Sequence, residues 1–204
     1  MKYLAVAGNI GVGKTTLTRM LAQHYKLEPY FEPSIENPYL DDFYQDTPRW
    51  AFAMEIFYLK KRFEDIIDIL QRQISTIQDR TIFESVSVFA KNNYLQGNLD
   101  QRDYETFMEL FSLMINKIRY PDLLIYLRAD VSKLVTQIQR RGRTSEQSLK
   151  LDYLKGLNKH YEDFYVNYPN EKIVIEMDDC DFEHNADDFS AIIDKIDKNL
   201  NKLF

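Results

Sequence analysis

Cysteine is nearly absent: Cys180 stands alone in 204 residues, which excludes an intrachain disulfide and any multi-cysteine metal cage and agrees with a reducing cytosol. No apolar run approaches the roughly 18 residues that a membrane-spanning helix needs, and the stretch Tyr3 to Ala7 behind Met1-Lys2 is too short for the core of a secretory leader. A soluble, cytoplasmic protein with no membrane partner is expected. An excess of cations is missing too. The 26 Lys and Arg face 32 Asp and Glu, a formal net charge of −6, so no basic field attracts nucleic acid. Six Gly and six Pro leave no linker-like stretch, and no repeat or low-complexity segment breaks the chain. One domain over 1–204 is therefore expected, and 45% apolar residues are ample for its core.

What is present alternates. Short apolar runs at Tyr3 to Ala7, Leu27 to Phe31, Thr76 to Gln78, Leu123 to Leu127 and Ile173 to Ile175 are separated by helix-length segments, the pattern of an α/β fold with a five-stranded parallel sheet flanked by helices. The longest helical segment is expected from about Arg49 to Ser75, just after Pro48, with apolar residues from Trp50 to Ile74 at a three-to-four spacing. A second block spans about Tyr104 to Ile118. These long stripes offer surplus apolar surface, so a homodimer packed through helices is expected.

Gly8-Asn9-Ile10-Gly11-Val12-Gly13-Lys14-Thr15, followed by Thr16, matches G-x-x-x-x-G-K-[ST] and lies between the first strand and a helical segment. Its glycines let backbone N–H groups turn toward phosphates, the helix N-terminus adds positive potential, Lys14 reaches the outer phosphates and the Thr15 hydroxyl can ligate Mg²⁺. The guanine reader N-K-x-D fails at Asn116-Lys117-Ile118-Arg119, and no D-x-x-G switch occurs, so a signalling GTPase is not expected.

Phe31-Glu32-Pro33 closes the second expected strand, where open α/β sheets bind ligands, and Glu32 could accept a proton from an attacking hydroxyl. Asp79-Arg80 ends the third strand in the same way, a carboxylate for Mg²⁺ or its waters and a guanidinium for an anion. Arg140-Arg141-Gly142-Arg143, with Glu146 three residues on, suits a lid over about 140–149 that neutralises a transferring phosphoryl group. Loop, strand-end Glu, Asp-Arg and Arg lid follow one another as in a phosphoryl-transfer apparatus.

On these pieces, and on NPYLDDFY, the Arg49-Trp50 pair opening the long helix, Asp79-Arg80-Thr81 and Leu151-Asp152-Tyr153-Leu154, the whole chain resembles the deoxynucleoside kinase family. The resemblance implies transfer of the ATP γ-phosphate to the 5′-hydroxyl of a deoxynucleoside for nucleotide salvage, with ATP and Mg²⁺ as cofactors. It implies Glu32 as general base, Arg80 orienting base and hydroxyl, Tyr44 and Glu146 on the sugar 3′-hydroxyl, and Arg141 and Arg143 as lid arginines. It further places Phe89 under the base, Arg62 in the base pocket, and Asp181-Phe182 beside the adenine of ATP.

Three positions depart from the family pattern. Glu55 stands where the family usually has a base-reading Gln. An ionised carboxylate only accepts hydrogen bonds, and guanine offers adjacent N1–H and N2–H donors, so the sequence leans toward deoxyguanosine, with deoxyadenosine or deoxycytidine as alternatives. Glu55 sits in an apolar stretch and needs a partner, and Arg62, about 10 Å along the same face, is placed to flank one ligand with it. Ser85 replaces an Asp that contacts an exocyclic amino group in many relatives, with Glu84 beside it, and Gln137 replaces a lid arginine found in some. A nucleoside monophosphate kinase is the more remote alternative, disfavoured because Glu32 would repel a phosphate acceptor. A non-catalytic nucleotide-binding regulator is disfavoured by the complete set Lys14, Glu32, Asp79, Arg80, Arg141 and Arg143.

Overall fold

Five strands, all parallel, order as β2-β3-β1-β4-β5 in the computed structural model, which describes residues 1–32, 37–143, 146 and 149–203. Pro33 and much of the expected lid stretch lie outside the described residues. The strands are β1 (Tyr3–Gly8), β2 (Glu28–Tyr30), β3 (Thr76–Asp79), β4 (Leu123–Arg128) and β5 (Glu171–Glu176). Each of the five expected apolar runs overlaps one of them.

Strand β1 is buried along its whole length, and its side chains alternate between two cores. Leu4 and Val6 face Leu17 and Leu21 of α1 (Lys14–Tyr25) and Ile192 and Ile196 of α9 (Ala186–Leu203). Ala5 and Ala7 face the other layer, which contains α3 (Thr47–Arg72) and α8 (Leu151–Asn167). Fully burying each Leu or Ile contributes roughly 1.5–3 kcal/mol. The chain leaves β1 toward β2 and β3 and later crosses to β4 and β5 on the other flank. Loops at the carboxyl ends of β1, β2 and β3 therefore converge beside a reversal in strand order.

Helix α3 begins after α2 (Leu40–Gln45) and carries Glu55 and Arg62. Asp46 caps it by accepting from the Arg49 N–H at 3.3 Å, and Pro48 sits in its first turn, where a missing N–H costs nothing. It ends at Arg72, with Gln73 in the left-handed region, three residues earlier than the apolar pattern predicts. Its buried stripe runs Ala51, Met54, Glu55, Tyr58, Leu59, Arg62, Ile66 and Ile69, so two ionisable residues occupy a face otherwise meant for the core.

Opposite lies a continuous helical rod, α4 (Ile82–Glu84), a π-helical turn (Ser85–Ala90) and α5 (Lys91–Leu95). Ser85 meets Arg62 and Asn93 meets Glu55, so the rod runs antiparallel to α3. The two α3 residues are seven apart and their partners eight. The π-helical turn, with its i→i+5 bonds, accommodates the additional residue. The second expected helical block is α6 (Gln101–Met114), capped by Asp100 and continued by one 3₁₀ turn (Ile115–Lys117). Helix α7 (Val131–Arg141) ends at Gly142, whose left-handed φ of 69° closes its C-terminus.

Candidate active site

The loop from β1 to α1 wraps around the start of a helix. Gly13 is the N-cap at φ 100°, and a Cβ on Gly8 would meet the Leu127 carbonyl oxygen at 2.8 Å, so both positions require glycine. Asn9 braces the loop: its side-chain carbonyl accepts from the Ile10 N–H at 2.7 Å and its amide donates to the Leu154 carbonyl at 3.0 Å. Lys14 is 7% exposed and donates to the Asn9 carbonyl at 2.9 Å. Burial, and then the neighbouring Arg80, lower its pKa to about 7.

Two cavities share this loop. Gly11, Lys14, Thr15, Arg141 and Arg143 line both. The more open one is walled by Val12 and Gly13 with Thr16 on one side and Cys180, Asp181 and Phe182 on the other. The Phe182 ring lies 3.3 Å from where a Gly13 Cβ would stand. Gln137, beside Lys133 and Arg140 on α7, faces this cavity, so its amide takes a place between two cations. Of the sequence-predicted nucleotide residues, Gly11 to Thr16, Arg141, Arg143, Asp181 and Phe182 line this space, Ile10 lines the deeper cavity, and Gly8 and Asn9 line neither.

The deeper cavity contains Glu32, Tyr44, Glu55, Arg62, Arg80, Phe89 and Glu146. Glu32 is held between two guanidiniums: Arg62 donates to Oε1 in a very short contact, and Arg80 Nε donates to Oε2 at 3.1 Å. Burial alone would raise the Glu32 pKa, but Arg80, Arg62 and Lys14 together bring it down to about 2. Arg80 itself adopts a left-handed backbone, φ 73°, uncommon for any residue that carries a Cβ. It is 3% exposed, donates to the Tyr161 hydroxyl at 2.6 Å and stacks 4.5 Å from the Phe89 ring centroid. Tyr161 passes the chain on by donating to Glu84 at 2.8 Å, and Glu84 also accepts from the Thr81 N–H at 2.7 Å.

Asp79 faces the loop rather than the acceptor cavity. It accepts from the Thr15 hydroxyl at 2.5 Å, and its other oxygen, Oδ1, is buried without a hydrogen-bond partner among the described residues. Arg141 grips Glu146 through two N–H donors, and Arg143 approaches the same carboxylate at 3.6 Å. Glu146 is 6% exposed, so this pair closes one wall of the deep cavity.

Arg62, expected in the base pocket, lines the cavity; its two terminal nitrogens donate to Glu32 and Ser85, and its Nε has no hydrogen-bond partner among the described residues. Two expectations change here. Ser85 is fully buried behind Arg62 and does not line the cavity, and Glu84 is spent on Tyr161 and Thr81, so neither is placed to replace the missing Asp. Glu55 does not offer two open oxygens: Oε1 accepts from the Asn93 amide at 2.8 Å. Burial raises the Glu55 pKa to about 8 against the opposing pull of Arg62 and the Asn93 hydrogen bond. Sequence reasoning missed Asn93 and Tyr161. Asn93 lies 38 residues from its partner, and no local motif marks either residue.

This geometry agrees with what the chain is similar to. The deoxynucleoside kinase family model matches residues 4–201. A deoxyadenosine/deoxycytidine kinase of Bacillus subtilis is 32% identical over 95% of this chain and 90% of its own length. A deoxyadenosine kinase of Dictyostelium discoideum is 38% identical over 88% of this chain and 73% of its own, and a deoxyguanosine kinase of Lactobacillus acidophilus is 30% identical over 100% and 92%. The solved structure of deoxyadenosine kinase from M. mycoides with bound dATP superposes with a TM-score of 0.83, at 28% identity, covering 97% of this chain and all of that one. The chain is therefore a transferase that belongs to the deoxynucleoside kinase family.

Proposed function

We propose that this chain transfers the γ-phosphate of ATP to the 5′-hydroxyl of a deoxynucleoside, a purine deoxynucleoside above all, as a salvage enzyme of the cytoplasm. The observation that carries this reading is the Glu32 carboxylate, anionic and clamped by Arg62 and Arg80, on the wall of a cavity that also contains Lys14. ATP would occupy the open cavity, its phosphates on the loop N–H groups and Lys14 and its adenine near Asp181 and Phe182. The deoxynucleoside would occupy the deep cavity, its base over Phe89 and beside Glu55, its 3′-hydroxyl on Tyr44 and Glu146.

A carboxylate held near pKa 2 is a weak proton acceptor in the ground state. Its work is then to accept a hydrogen bond from the 5′-hydroxyl and aim its oxygen at phosphorus, taking the proton as that oxygen becomes acidic on bonding. Arg80, fixed by Tyr161, keeps Glu32 in place. Arg141 and Arg143 supply positive charge where the transferring phosphoryl passes. A phosphate acceptor would meet repulsion from Glu32, which favours a hydroxyl acceptor.

Magnesium fits the Thr15–Asp79 pair, a hydroxyl and a buried carboxylate whose Oδ1 has no hydrogen-bond partner among the described residues. Bound there, it would screen the charge of the outer phosphates. A homodimer is part of the same proposal, because α6 buries only Phe107 fully and leaves Leu113 77% exposed. Among the described residues no helix is long and apolar enough to cross a membrane.

The test is ATP-dependent phosphorylation of the four deoxynucleosides side by side, with dAMP and dTMP as controls. Turnover of at least one deoxynucleoside and of neither monophosphate is expected. The reverse pattern would replace this reading with a monophosphate kinase.

A further inference from the structure

The deep cavity holds one ionisable group that the phosphoryl-transfer chemistry does not use. Glu55 is 1% exposed, lines the cavity, and has its two oxygens in unlike surroundings. Oε1 accepts from the Asn93 side-chain amide at 2.8 Å, while Oε2 is buried with no hydrogen-bond partner among the described residues. Asn93 is itself fixed. Its side-chain oxygen accepts from the Asn98 amide at 3.2 Å, so its N–H₂ end is the one turned to Glu55, and its backbone carbonyl accepts from Asn98 N–H at 2.8 Å.

The cations nearby are aimed at other partners. Arg62 on the same helix gives its terminal nitrogens to Glu32 and Ser85, its Nε having no hydrogen-bond partner among the described residues, and Arg80 at the end of β3 gives Nε to Glu32 and Nη1 to Tyr161. The other titratable groups facing Glu55 are Glu32, a like charge, and the hydroxyls of Tyr153 on α8, Tyr58 on α3 and Tyr44 on α2. A bare carboxylate oxygen in that setting has lost its water and gained no donor.

We infer that Asn93 and Glu55 act together as a polarity-fixed base reader, Oε1 held as the acceptor and Oε2 carrying the hydroxyl proton as the donor, so that the site selects a base edge with an amino group beside an unprotonated ring nitrogen. Adenine presents that edge: N6–H to Oε1, Oε2–H to N1. Cytosine presents the same pair. Guanine in the same pose sets O6 against an acceptor and N1–H against a donor, and Asn93 prevents the carboxyl group from exchanging the two roles. This rests on the kinase reading for the pose of the base and replaces the ionised double acceptor expected from sequence.

The raised pKa, about 8, agrees with a retained proton at neutral pH. Above that value Oε2 becomes an acceptor and the preference should shift toward guanine. At pH 7 only about one molecule in ten carries the ionised form, so guanine binding that depends on it is weakened about tenfold.

The experiment measures Kd calorimetrically for deoxyadenosine, deoxyguanosine and 1-deaza-2′-deoxyadenosine, without ATP, between about pH 6 and about pH 8.5, below the range in which guanine N1–H itself ionises. Expected for the wild type are tighter binding of deoxyadenosine at about pH 7, a loss of about tenfold or more on replacing N1 by C–H, and an adenine-to-guanine ratio that falls by about tenfold or more between about pH 7 and about pH 8.5. Glu55→Gln should make the ratio independent of pH. Asn93→Leu should move the inflection to higher pH, because the hydrogen bond that favours the ionised carboxylate is gone, and should narrow the ratio. Equal binding of deoxyadenosine and its 1-deaza analogue, or a pH-independent preference for deoxyguanosine, would overturn the inference; both are read on the wild type and do not depend on a variant folding. A chain that binds in the expected order without turning the nucleoside over keeps the base reader and loses the kinase reading.

Discussion

At Glu32 the local charges decide what kind of catalyst a carboxylate can be. With Arg80, Arg62 and Lys14 holding its pKa near 2, it stays ionised through any pH at which the protein works, so no acidic limb of the rate profile should come from it. Glu32→Gln keeps the shape while removing the anion and, because an amide nitrogen cannot accept, one of the two arginine hydrogen bonds, and kcat should fall by ~10²–10⁴ with the fold intact; a variant within a few-fold of wild type would take the proton-accepting role away from Glu32. Glu55 is the opposite case. Its folded pKa of about 8 lies above the ordinary 4.5, so the native chain keeps a proton that the unfolded chain releases, and this group lowers stability as pH rises from about 4.5 to about 8. Glu55→Gln should therefore match wild type in urea unfolding at pH 4.5 and be the more stable at pH 8.5 by roughly 2–4 kcal/mol. A constant difference across the range would mean the carboxyl group ionises normally. The two carboxylates also show what a sequence discloses at this scale. Glu32 and Arg80 stand at strand ends inside short motifs and were legible, whereas the state of Glu55 depends on Asn93, and the engagement of Arg62 on Glu32 and Ser85, through contacts across the fold.

Elements were legible where periodicity and caps agree. The five strands follow from apolar runs, and the long helix from a three-to-four stripe after Pro48, because burial on two faces and on one stripe leave different periods in the sequence. Boundaries moved by a few residues where a side-chain cap intervened: Asp46 and Asp100 each start a helix before the apolar pattern does. Asp46→Ala should lower stability by ~0.5–1 kcal/mol, a fall in Tm of a few degrees for a chain of this size, with kcat/KM little changed, since the cap is exposed and Asp46 lines neither cavity. A large loss of activity would mean that the start of α3 also sets the position of Glu55 and Arg62. The π-helical turn from Ser85 to Ala90 had no sequence mark. It is a response to packing: the rod must meet α3 at Arg62 and again at Glu55, and the wide turn takes up the one extra residue that separates Ser85 from Asn93 relative to those partners.

Across the whole molecule, the two cavities are joined by side chains that cannot serve both ligands while they hold one another. Arg141 is paired with Glu146 between the two cavities, yet in the proposed function the nucleotide phosphates call for the arginine and the sugar hydroxyl calls for the carboxylate. Phosphate binding that draws Arg141 away releases Glu146 to accept from the 3′-hydroxyl, and sugar binding that occupies Glu146 releases Arg141. Each ligand thus removes a cost that the other would bear alone, which is positive coupling, and by linkage the factor must be equal in both directions. Arg141 remains about one-third exposed, so solvent screens the pair and the coupling should be modest, about 1–2 kcal/mol or roughly 5- to 30-fold in Kd. The measurement is deoxynucleoside Kd with and without a non-hydrolysable ATP analogue, repeated in reverse. Wild type should bind each ligand more tightly in the presence of the other, by the same factor. In Glu146→Gln the arginine is held less strongly from the outset, so the analogue alone should bind better and the coupling factor should shrink toward one. If the factor is already one in wild type, the Arg141–Glu146 contact is only a resting arrangement of the two side chains, and the two sites fill independently.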